Sequence, residues 1–219
     1  MIIDIIMVVL LPMLMAYSLI GETFHEIAGT AMFVLFIVHH ILNRGWYKTL
    51  FRGKYTARRI FQTIINMFLL VFMFLQPVSG ILMSKHLYTF LDVPGISAVA
   101  REIHLVSAYW GFVLLSLHAG THLTVPLGKL KRVGKRTWVI TISVLTAISL
   151  YGIYAFIKRQ LAGYMFLQTI FVFFDFNEPR IWFFLDYLTI MVLFAFIGYF
   201  VTSVLSAAEA KQRRKEEMR

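Results

Sequence analysis

Two stretches decide how this chain folds: residues 24–41, FHEIAGTAMFVLFIVHHI, and residues 103–122, IHLVSAYWGFVLLSLHAGTH. Each is apolar over about the 20 residues that a bilayer crossing needs. Each carries two histidines fourteen residues apart, His25 with His39 and His104 with His118. At about 100° per residue, that separation falls about 40° short of four turns, so both histidines of a helix face nearly one way, with about 21 Å of rise between them. Two such helices side by side make two stacked histidine pairs.

The surrounding composition puts those helices in lipid. Of 219 residues 59% are hydrophobic and 15% charged, against about 25% charged in an ordinary globular domain. The absence of cysteine excludes disulfides, thiolate metal sites, iron–sulfur clusters and covalent c-type haem, leaving histidine as the main ligand type. The first apolar stretch starts at residue 2 without a basic leader, and it reads as a helix rather than a removed signal peptide. The net charge of +10 does not point to nucleic acid, because the basic residues lie in short loops between apolar spans.

Six segments have spanning length, and the fold expected is an all-α integral membrane bundle of about six transmembrane helices. They cover residues 2–20, with Asp4 at the mouth and Pro12 as a kink, then 21–43, 60–83, 100–123, 138–157 and 181–205. Two basic loops contain no acid, one with Arg44, Lys48, Arg52, Lys54, Arg58 and Arg59 and one with Lys129, Lys131, Arg132, Lys135 and Arg136, and a third basic cluster forms the tail with Lys211, Arg213, Arg214, Lys215 and Arg219. The positive-inside rule places all three in the cytoplasm, with both termini, in a multi-pass protein of the inner (plasma) membrane. Lys85, His86, Asp92 and a turn at Pro94 and Gly95 fall outside. Residues 161–174 are apolar and aromatic but short, which fits a surface-lying or re-entrant element. The division is a transmembrane domain over residues 1–210 and a basic cytoplasmic tail over 211–219. The second and fourth helices then run parallel, with their histidines matched in height.

Neutral imidazole is the axial ligand of b-type haem, and imidazoles from facing helices can hold a macrocycle between them. A lone intramembrane histidine is as well read as a hydrogen-bonding or proton-relay residue, but identical spacing on two helices favours two haems, non-covalent and bis-histidine, between helices 2 and 4. Zinc or copper would ask for three or four converging ligands. His25, His39, His104 and His118 are the candidate ligands. His122, eighteen residues from His104, is equally aligned and competes with His118; His40 is offset by about 60° from His25. Gly29, one turn after His25, and Gly111, midway between His104 and His118, offer room for a macrocycle, with close helix packing as the plainer reading. Arg101 and Arg44 lie at propionate depth, where interfacial anchoring would also place them. Glu22 and Glu26 are candidates to accept from a ligand imidazole, and Trp110 to touch a haem.

The stretches GETFHEIAGTAMFVLFIVHHILNRGWY and HLVSAYWGFVLLSLHAGTHL resemble the flavinylation-associated cytochromes, and more distantly the cytochrome b561 and ferric-reductase-like membrane domains. The likeness covers about residues 10–125. It implies His25, His39, His104 and His118 as axial ligands, and electron passage between a quinol or cytoplasmic donor and an extracytoplasmic flavoprotein or cytochrome. No glycine-rich dinucleotide motif follows a strand–turn context, so nicotinamide or flavin chemistry would belong to a partner. Two other functions are carried: a self-contained membrane oxidoreductase of quinone or superoxide type, with a site near Lys85, His86 and residues 161–174, and a haem-free transporter or membrane scaffold.

Overall fold

The chain opens with a broken helical hairpin. A computed structural model describes residues 2–91 and 95–218, so the predicted outer turn at Asp92 and Pro94 lies outside the described residues. Helix α1 (Ile2–Met15) stops at Ala16, four residues beyond Pro12, and a single turn, α2 (Tyr17–Ile20), completes the segment. Gly21 then reverses the chain with φ +84°, a backbone conformation that glycine reaches without Cβ strain. Helix α3 (Glu22–Leu42) runs back along α1 and α2. Asp4 thus meets His39 at one end, and Tyr17 meets Glu22 and His25 at the other.

The remaining elements are α4 (Gly45–Thr49), α5 (Ala57–Leu82), a 3₁₀ turn at Thr89–Leu91, α6 (Ser97–His122), α7 (Thr124–Val133), α8 (Lys135–Lys158), α9 (Leu161–Met165) and α10 (Arg180–Glu217). Among the described residues every regular element is helical. Five helices, α3, α5, α6, α8 and α10, are long and apolar enough to cross a membrane. Where six spans were expected, the first is a 14-residue helix, about 21 Å long, that needs α2 to match the length of α3. The last helix continues to Glu217, well beyond the predicted span and through most of the basic tail.

Neighbour contacts run α1 to α3, α3 to α5, α5 to α6, α6 to α10 and from α10 back to α1, while α8 packs outside on α10. This closed circuit makes α6 the central helix: half of its most apolar stretch is buried, against 17% for α3, α5 and α8. Without a hydrophobic drive between helices in lipid, small residues let backbones meet. A Cβ at Gly120 would strike the Ala195 backbone, one at Gly198 the Leu117 carbonyl, and one at Gly152 the Thr189 carbonyl. Glycine at these crossings therefore sets how closely α6 and α8 approach α10.

All three basic clusters gather at one end of the bundle. The α5 start is tied to the α10 tail there, with the Arg58 backbone N–H donating to Glu209 at 3.0 Å. The N-terminal Asp4 is at the same end, beside His39. Residues 161–174 divide in two: Leu161, Tyr164 and Met165 are buried, with Tyr164 stacked on Tyr109 and Met165 O accepting from the Trp110 indole at 2.9 Å, whereas Phe166, Phe171 and Phe173 are exposed.

Candidate functional site

At the end of the bundle away from the basic clusters, α3 and α6 bring His25 and His104 together, with ring centroids 6.1 Å apart and planes at 66°. The orienting groups come from α5. Pro77 lacks an N–H, and Gly80 has only hydrogen facing His104, whose Cε1 would stand 3.2 Å from a Cβ there. The α5 backbone thus comes close enough for His104 Nδ1 to donate to Gln76 O at 3.2 Å, with Ser79 Oγ at 3.1 Å. That tautomer leaves the lone pair on Nε2, to which the Gln76 amide donates at 3.0 Å. The Gln76 carboxamide oxygen in turn accepts from Ser107 at 2.5 Å. His25 is less well provided for: its Nδ1 is buried without a hydrogen-bond partner among the described residues, a condition that costs about 1–3 kcal/mol in a protein interior.

The second level lies toward the basic end. Asp4 Oδ1 and His39 Nδ1 are 2.7 Å apart, joining α1 to α3. His118 Nδ1 lies 2.7 Å from Asn66 Oδ1, joining α6 to α5 and again leaving the Nε2 lone pair. His118 is within electrostatic reach of His39, His40, His122 and Asp4, so the lower histidines of α3 and α6 share one neighbourhood. Their ring contacts are with helix neighbours, His39 with His40 at 5.5 Å and His118 with His122 at 4.8 Å. Since His25 meets His104 at one level and His39 shares an environment with His118 at the other, α3 and α6 are parallel and matched in height. Among the described residues no three or more His, Asp or Glu side chains gather as the ligand set of a bare metal ion.

Between the levels, Gly111 is buried, yet a Cβ built on it would meet no atom within 4 Å. Gly29 would meet only Leu14 Cδ2, at 4.0 Å. These two are spacious, whereas Gly120 is a close-packing glycine. The residues fit a bis-histidine macrocycle on three counts: a facing imidazole pair, a buried unpaired imidazole nitrogen, and room beside a buried glycine midway along α6.

Other expected roles change. Among the described residues Glu26 makes no hydrogen bond to a histidine ring; it clamps the loop after α5, accepting from Ser84 Oγ at 2.7 Å and from the backbone N–H groups of Lys85, His86 and Leu87 at 2.9, 3.3 and 2.9 Å. Glu22 accepts from Tyr17 at 2.6 Å and from Lys85 at 2.9 Å. Trp110 turns away from the histidine face, stacking on Phe72 at 6.2 Å and bonding Met165 O. Arg101 is exposed near Tyr17 at the outer level. Arg44, also exposed, stands at a groove of about 500 Å³ between α3, α4 and α5.

A polar cluster absent from the sequence expectations ties α8 to α10. Asp186, fully buried, accepts from Tyr151 OH at 2.8 Å, Lys158 Nζ at 2.9 Å and Arg159 Nε at 2.8 Å. Glu178 pairs with the same two cations at 2.8 and 2.6 Å. Burial pushes the Glu178 carboxyl up, but Lys158 and Arg159 outweigh it and hold the group below its ordinary value.

The fold and site define an all-α, multi-spanning membrane protein with two histidine levels between parallel helices. Compared with protein families, with curated proteins and with solved structures, the chain matches none.

Proposed function

We propose that the protein is a transmembrane electron-transfer subunit that holds two b-type haems, one between His25 and His104 and one between His39 and His118. What supports this reading is the facing of His25 and His104 across α3 and α6, together with the same fourteen-residue histidine spacing on both helices, which carries His39 and His118 about 21 Å further along by helical rise. Bound there, haem supplies one-electron redox chemistry. The chain supplies the rest. Asn66 fixes His118, and Ser79 with the Gln76 carbonyl fixes His104, in the tautomer whose lone pair is on Nε2; at His104 an iron would take the place of the Gln76 amide on that nitrogen, and Asp4 steadies His39. Gly111 and Gly29 leave room beside them.

The basic end is the cytoplasmic end in this reading, because the three cation clusters collect there. The paired α1 and α2 make a sixth crossing, so both termini are cytoplasmic. Electrons move between a quinol or cytoplasmic donor at that end and an extracytoplasmic flavoprotein or cytochrome at the other, as the resemblance to flavinylation-associated cytochromes implies. Optical spectra of purified protein, oxidised and then dithionite-reduced, test this. Soret and α bands with two haems per chain are expected; their absence after expression with ample haem sinks the proposal and favours a haem-free transporter or scaffold.

A further inference from the structure

The cations of residues 129–136 differ from the other basic clusters in lacking an anionic or backbone partner. In the first basic loop, Arg59 donates to the carbonyls of Thr49 and Arg52 and stacks over Tyr55 at 4.2 Å. At the tail, Glu209 accepts from the Arg58 backbone and is within electrostatic reach of Arg213. Lys129, Lys131, Arg132, Lys135 and Arg136 are all exposed. Among the described residues the ion pairs of lysine and arginine belong to Lys85, Lys158 and Arg159, and none reaches these five. Two of them stand where they oppose the fold, since Lys135 and Arg136 open α8 with no acid in its first turn, against the positive end of the helix dipole.

The fold fixes the depth of these charges. Helix α7 crosses the basic end from the close of α6 to the start of α8, touching both and α10. Leu127 is buried, with Leu123 and Leu130 half-buried on the same face, while Lys129 and Arg132 are exposed on the other side. Gly134 alone joins α7 to α8, so the last turn of one and the first turn of the other meet at a corner, across which Lys131 Nζ lies 5.1 Å from the Trp138 ring centroid. The exposed apolar surface of α8 begins directly afterwards, at Val139 and Ile140. The cations therefore stand where lipid tails give way to head groups, with Trp138 at the boundary and α7 patterned as an interfacial helix.

We propose that this corner binds an anionic phospholipid, its phosphate among Arg132, Lys135 and Arg136 and its acyl chains along Val139 and Ile140. The assignment goes beyond the electron-transfer reading and does not depend on it. Residues 123–138 contain no acid, so a zwitterionic head group finds no counter-charge for its ammonium, whereas phosphatidylglycerol brings negative charge alone. A soluble acidic partner is served by cations raised clear of the membrane; these lie within a few residues of lipid-facing side chains.

Native mass spectrometry of the full-length protein in neutral detergent, titrated with phosphatidylglycerol or with phosphatidylcholine of matched chains, counts bound lipids and gives their relative affinities. Phosphatidylglycerol is expected to bind at least about tenfold tighter. Lys135→Gln combined with Arg136→Gln should weaken it about 25-fold, at about fivefold for each cation lost. The same loss of charge in the first basic loop, Lys48→Gln with Arg52→Gln, should change it less than about twofold, because screening confines the effect of a distant exposed charge. Circular dichroism of each variant separates lost binding from lost fold, and Arg132→Gln, a single exposed change, should weaken binding about fivefold if the double variant at Lys135 and Arg136 loses helix. Equal affinity for the two lipids overturns the proposal. So does equal loss in both double variants, which would make the basic end a diffuse field with no site in it. Competition by glycerophosphoglycerol, the head group without chains, at the affinity of the lipid itself would overturn it in favour of a soluble anion.

Discussion

Asn66 and His118 are joined across the α5–α6 interface by a hydrogen bond of 2.7 Å between the carboxamide oxygen and Nδ1. This contact distinguishes the two histidines that compete for the lower level on α6. His118 is held by a partner on another helix, whereas His122 is exposed and among the described residues makes its ring contact with His118. His118→Ala is therefore expected to halve the haem content measured by pyridine haemochrome, and His122→Ala to leave two haems. Asn66→Leu should weaken retention of one haem about 10- to 100-fold, the usual consequence of losing the group that orients a histidine ligand. Loss of haem in the His122 variant with retention in the His118 variant would reverse the assignment.

Gly111 and Gly120 lie nine residues apart on α6 and should respond oppositely to the same substitution. Gly111→Ala adds a methyl that meets nothing within 4 Å and is expected to raise stability by up to about 1 kcal/mol through helix propensity. Gly120→Ala drives a methyl into the Ala195 backbone and is expected to cost about 1–3 kcal/mol. Thermal unfolding in detergent reads both. A bulky Gly111→Leu should keep helical content while losing haem. Equal destabilisation by the two alanines would show that the space beside Gly111 is not open.

Glu26 is expected to serve the loop and not the redox site. Glu26→Ala removes the acceptor of three backbone N–H groups and the Ser84 hydroxyl, so hydrogen exchange at Lys85, His86 and Leu87 should accelerate at least tenfold. Reduced optical bands should be unchanged in position. A shifted α band with unaltered exchange would return Glu26 to the neighbourhood of His25.

The network around Asp186 should confer an acid-sensitive component of stability. The Glu178 pKa is lowered on folding, so its contribution is present above the unfolded carboxyl value of about 4.3 and is lost as pH falls through the lower folded value. The melting temperature of the wild type should drop below about pH 4, and that part of the drop should be absent in Glu178→Gln. Asp186→Ala leaves Arg159, only 13% exposed, facing Lys158 without the shared carboxylate. It should cost about 3 kcal/mol at neutral pH. A flat acid profile in the wild type would argue that these pairs stabilise little.

Hydropathy was enough to place the long helices, because it depends on local composition, and the basic loops, by the positive-inside rule, were enough to set the two histidine helices parallel. The orienting groups were harder to see, since they act across 28 to 52 residues of chain: Gln76 on His104, Asn66 on His118, Asp4 on His39. Their signal was nonetheless present as lone polar side chains inside apolar spans, which rarely lack a role. Glu26 and Trp110 take their hydrogen bonds elsewhere for a geometric reason. Glu26 is one residue from His25, about 100° around the helix, and Trp110 is six from His104, about 120° away. Proximity in sequence put them near the histidines but on other faces. The break at Ala16 carries no proline or glycine at the break itself, and hydropathy runs through it unchanged.

The four inter-helix partners that orient His39, His104 and His118 also have an order in time. Asp4 precedes His39, Asn66 precedes His118, and Gln76 with Ser79 precedes His104. Chains emerge from the ribosome amino end first. In every case, the helix that will steer an imidazole is therefore already made when the helix bearing that imidazole appears. Vectorial synthesis alone thus sets each histidine beside its guide, and the site can be shaped progressively during insertion instead of waiting for the last helix, α10, to close the circuit.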